Sequence, residues 1–178
     1  MQLTRNQIHE QVYFYTLILM AISLPLSIYT TSMFMILLAV NWTLEGRFAG
    51  KWKRMAGNRA LQVFLLLAGV HFVGMLWSND FAFGLRGLKI KLPLLSIPII
   101  VATSTPLLKL QVQRILFFFT LAVFVASMAS IFKLLGWLPG EVLDYRDLSI
   151  FMSHIRFSLM IVLALLIIVY SLFFGRNA

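Results

Sequence analysis

Long apolar runs separated by short polar or basic segments dominate this chain, and they are too long to be strands. Runs of bilayer length or somewhat less occupy about 12–27, 31–44, 61–78, 90–104, 115–135 and 150–174. From Val12 to Leu44 the apolar character outlasts one crossing, and Pro25, Ser27, Tyr29, Thr30 and Thr31 interrupt it. The pattern predicts two shortish helices joined by a tight polar turn; one long helix kinked at Pro25 is the alternative. The expected architecture is all-α: a polytopic transmembrane helical bundle, with residues 1–178 forming one integral membrane region of about six spans.

One polar stretch differs in kind. In Asn79–Leu92, Phe81, Leu85, Leu88 and Leu92 fall on one helical stripe, with Arg86 and Lys89 on a flank and Lys91 nearby. This predicts an amphipathic helix lying in the outer interface. The last run opens on a second polar cluster, Asp144, Arg146, Asp147, His154 and Arg156, which leads directly into a bilayer-length helix. Ionisable groups at membrane depth are costly and face a protein interior or a wet cavity. His154 and Arg156 are therefore candidates for meeting an anionic group. Arg156 follows His154 by two positions, about 200° around a helix, so the two point different ways. Arg156 is expected to face the interior, toward Arg86 and Lys89. A link to Asp144 or Asp147 is the plain structural alternative for both residues. His71, alone among apolar neighbours, reads as a buried hydrogen-bonding residue.

Composition sharpens the class. The 178 residues are 61% hydrophobic and 12% charged, with no Cys; mean hydropathy is +0.91. A soluble domain carries about twice that charge. The missing Cys removes disulfides, thiolate metal sites and Cys nucleophiles. The net charge of +9 would suggest nucleic acid in a soluble protein. Here the basic segment holding Arg47, Lys51, Lys53, Arg54 and Arg59 reads as a cytoplasmic loop under the positive-inside rule, with membrane lipid as the partner and no nucleic acid. Most of the 15 Lys and Arg residues then fall inside, both chain ends are cytoplasmic, and the His154–Arg156 mouth faces away from the cytoplasm.

Three stretches, ISLPLSIYTTSMFMILLAVNW, LWSNDFAFGLRGLKIKLPLLSIPII and SHIRFSLM, together resemble the N-terminal half of the O-antigen ligase family. The resemblance implies a bacterial inner-membrane enzyme that transfers a glycan from undecaprenyl pyrophosphate to the lipid A core on the periplasmic face. It implies no metal, no nucleotide and no other cofactor. It also implies that the catalytic His belongs to a later part of a family member, so this chain alone is expected to be inactive. The lipid-linked pyrophosphate would meet Arg86, Lys89, Lys91, His154 and Arg156, because guanidinium forks and Lys point charges suit phosphate oxygens. Two readings from other classes compete: a small transporter subunit, and a non-catalytic envelope membrane protein. A transporter should show matching halves and charged or broken segments near the midplane. Neither is visible in the sequence.

Overall fold

Proline, glycine and a few hydroxyl side chains set the helix boundaries. The computed structural model describes residues 4–76, 95–137 and 149–174, and every regular element among them is a helix. These are α1 (Arg5–Ser23), α2 (Ile28–Glu45), α3 (Phe48–Gly57), α4 (Arg59–Leu76), α5 (95–103), α6 (Lys109–Leu134) and α7 (His154–Phe174). Pro25 cannot donate to a continuing helix, so α1 stops at Ser23. The link to α2 is tied by side chains. Thr31 Oγ1 donates to the Ser27 carbonyl at 2.8 Å, and the Thr31 and Ser23 hydroxyls lie 3.1 Å apart. Two helices with a polar turn are present, not one kinked helix.

The turn from α2 to α3 needs left-handed backbone at two successive residues, Gly46 (φ 70°) and Arg47 (φ 53°). Glycine adopts this without a Cβ penalty, whereas Arg47 does so against its preference. At the far end of α6, Gly136 (φ 75°) closes the helix. Its amide donates to the Lys133 carbonyl at 3.1 Å, and the Trp137 amide donates to the Phe132 carbonyl at 3.0 Å. That pair of bonds is a Schellman cap. The Trp137 and Phe132 rings stack over it with centroids 5.4 Å apart.

The expectation of about six spans is overturned. Among the described residues, two helices are long and apolar enough to cross a bilayer, Lys109–Leu134 and His154–Phe173. The physical reason lies in where the polar residues fall. Gln7, His9, Glu10 and Gln11 occupy the early turns of α1, and Thr30, Thr31, Ser32, Asn41 and Thr43 punctuate α2. The apolar stretch Arg59–Val70 of α4 is shorter. A second correction concerns the basic segment after Glu45, expected as a loop, which folds as α3. The amphipathic stretch expected at 79–92 lies outside the described residues.

The chain divides into two compact units, residues 1–13 with 35–106, and residues 14–34 with 107–178. In the second unit Ala21, Phe119, Val123 and Ala164 form a buried cluster, flanked by Leu24, Ile115, Met160, Ile161 and Ile167. Ala122 and Ala126 of α6 are also buried. Small residues at such contacts let helix backbones approach closely, and packing then comes from dispersion rather than from hydrophobic exclusion. In the first unit polar side chains bind the helices together, as described next.

Candidate functional site

Of the five residues singled out from the sequence, His154 and Arg156 lie among the described residues, in the first turn of α7. The helix begins a few positions later than the apolar run suggests, because residues 149–153 are not helical. The Phe157 amide bonds to the Ser153 carbonyl at 3.1 Å, and Ser158 Oγ donates to the His154 carbonyl at 2.8 Å. Among the described residues His154 is half-buried and Arg156 is exposed; Arg86 and Lys89, which Arg156 is expected to face, lie outside them. Arg86, Lys89 and Lys91, together with Asp144, Arg146 and Asp147, lie outside the described residues, as does the side chain of His71. Chemically, the mouth of α7 offers a planar guanidinium, which is suited to an anion. Among the described residues no group of three or more His, Cys, Asp or Glu is placed to hold a metal ion.

The densest polar arrangement is elsewhere, in the first unit. Lys51 of α3 is buried, and its ammonium lies 2.9 Å from a Glu45 carboxylate oxygen. The same ammonium donates to the Trp42 carbonyl and sits 4.4 Å from the Trp42 ring centroid. Trp42 Nε1 donates to Thr103 Oγ1 at 2.9 Å, and Arg54 Nη1 donates to the Thr103 carbonyl at 2.9 Å. One residue at the end of α5 thus receives α2 and α3 together. His9 Nδ1 and Asn41 Oδ1 are 2.8 Å apart, while Asn41 Nδ2 donates to the His9 carbonyl at 3.1 Å. Arg5 reaches the Leu44 carbonyl at 3.0 Å, capping the C-terminal end of α2. Beside this lattice, Arg54, Asn58, Arg59 and Ser104 line an open cleft of about 690 Å³. Asn58 is committed there to capping α4, accepting from the Leu61 amide at 3.1 Å.

Sequence reasoning treated Lys51 and Arg54 as loop charge and did not single out Trp42 or Thr103. One signal was available: Phe48, Trp52 and Met55 follow i, i+4, i+7, the spacing of a helical stripe.

Tyr13 is the exception within the lattice. It is 5% exposed, and its hydroxyl has no hydrogen-bond partner among the described residues. Burial pushes its pKa up from the ordinary 10.0 to about 12, with nearby Ser104 acting the other way and the Glu45 charge adding to the rise. Desolvation of the hydroxyl outweighs its contact with Ser104, so Tyr13→Phe should be neutral or stabilising by up to about 1 kcal/mol. The sign extends to pH. A raised folded pKa gives stability present below pH 10 and lost as pH climbs toward about 12, and Tyr13→Phe should abolish that alkaline loss. Denaturation midpoints of both proteins across that range measure the effect; a destabilised Tyr13→Phe protein would mean that the Ser104 contact outweighs the desolvation.

The chain matches no protein-family model, no curated protein and no solved structure.

Proposed function

We propose that this chain is part of a bacterial inner-membrane protein of O-antigen-ligase type, binding the lipid-linked pyrophosphate donor of a glycan transfer at the mouth of α7. The membrane assignment is supported by the exposure of the two long helices. Only 22% of the most apolar window of α6 and 11% of that of α7 are buried. A core helix in a soluble protein is covered by its neighbours, whereas Phe117, Phe124, Leu159 and Leu172 are among many large apolar residues left open here. Lipid is the medium that covers such faces without cost.

The observation that carries the site is Arg156, an exposed cation in the first turn of a helix able to cross a bilayer. A guanidinium there presents its fork to phosphate oxygens at the level where a polyprenyl pyrophosphate holds its charge. The sequence resemblance supplies the donor class and the glycan chemistry.

The test is binding of undecaprenyl pyrophosphate to the purified protein in micelles, alongside thermal stability of the same samples. Arg156→Lys keeps the charge but loses the fork, and should weaken binding about tenfold, near 1.4 kcal/mol, with little change in stability. Unchanged binding with lowered stability would remove the ligand role and leave Arg156 a structural residue.

A further inference from the structure

Helix α3 combines an apolar edge with an unbalanced basic cleft. Phe48 and Trp52 are 54% and 69% exposed, and with Met55 they fall within about 60° of one another around the helix at 100° per residue. Arg54 lies on the flank of this stripe, about 120° away, and opens onto the cleft shared with Arg59 and Ser104.

The charges in this region are not equivalent. Lys51 is neutralised by Glu45 and enclosed by Trp42 and Phe48. Arg54 commits one nitrogen to the Thr103 carbonyl, leaving the remainder of its fork. Arg59 is exposed at the start of α4. Among the described residues no carboxylate lines the cleft; Glu45 is held by Lys51, and Glu10 accepts from Thr105 Oγ1 at 3.3 Å. Two guanidinium groups and a buried serine therefore line a cleft with no counter-charge among the described residues. Beside it lies an aromatic edge of the kind that settles at the boundary between headgroups and acyl chains.

We propose that α3 docks on an acidic phospholipid surface, with Phe48, Trp52 and Met55 in the headgroup–acyl boundary and Arg54 and Arg59 holding a lipid phosphate in the cleft. This rests on the membrane reading above but not on the glycan-transfer reading. It gives the basic segment a specific task beyond setting orientation. Phosphate suits the cleft because a planar fork pairs with two of its oxygens.

The absence of Cys allows a single fluorophore on Met55→Cys in the full chain, reconstituted into nanodiscs containing brominated acyl chains. One set is phosphatidylcholine alone; the other includes phosphatidylglycerol. Quenching at position 55 should rise with phosphatidylglycerol. Arg59→Gln should shift the phosphatidylglycerol required about fivefold, and Arg54→Gln with Arg59→Gln more than tenfold. Arg59→Gln alone leaves the Arg54–Thr103 bond intact, so its response is independent of any folding defect in the double variant. A second label on Leu165→Cys, midway along α7, reports membrane insertion. If position 165 is quenched and position 55 is silent in both lipid sets, the docking proposal is overturned while the membrane reading stands. Silence at position 165 overturns the membrane reading itself. If inorganic phosphate added to phosphatidylcholine nanodiscs reproduces the phosphatidylglycerol response in full, the cleft is an aqueous anion site and the lipid assignment is overturned.

Discussion

Replacing Lys51 by Met is expected to destabilise the folded chain by about 3–5 kcal/mol, the usual cost of removing one partner from a buried ion pair. The Lys51 and Glu45 side chains are 5% and 13% exposed, so without its cation the carboxylate must either stay charged in a poor solvent or take up a proton. The Trp42 carbonyl loses a donor as well. The loss belongs to the broken pair rather than to Lys51 alone, so the double variant Lys51→Met, Glu45→Gln should recover much of it. Equilibrium denaturation of the four proteins in mixed micelles gives the coupling directly. A double variant no better than Lys51→Met would show that the ion pair contributes little and that the ammonium's contacts with Trp42 dominate.

Phe119→Ala should cost about 3 kcal/mol, from lost dispersion contacts and the cavity left behind. Phe119 sits in the cluster with Ala21, Val123 and Ala164 and is 6% exposed. Two residues earlier on the same helix, Phe117 is 62% exposed, and Phe117→Ala should change stability by less than about 0.5 kcal/mol. The contrast between two phenylalanines on one helix separates packing from hydrophobicity as such. Equal effects at the two positions would place a packed partner against Phe117 and would contradict an open face there.

The site was legible only in part. His154 and Arg156 stand out in the sequence because charge at the start of a long apolar run is costly, and the structure places them in the first turn of α7. Their relative exposure did not follow from that cost. Angular separation says that the two residues point apart, but not which of the two directions meets protein. Lys51 is the opposite case. In the sequence it is one cation among five in a basic stretch, and nothing local distinguishes it from Lys53. Burial next to Glu45 and Trp42 does.

By itself the sequence determined the helical class and part of its punctuation. Pro25 ends α1 because it lacks an amide hydrogen, and Gly46 and Gly136 sit where the backbone turns left-handed. Unbroken apolar composition also marked α6 and α7. The number of helices able to cross a bilayer depended on polar residues inside the remaining runs. Thr16, Ser23 and Asn41 are buried among helices rather than lost in loops, and such residues read as interruptions or as contacts only once their partners are known. The bond from Trp42 to Thr103 joins positions 61 residues apart. Hydrophobic periodicity records which face of a helix avoids water; tertiary structure decides whether protein covers that face or leaves it open.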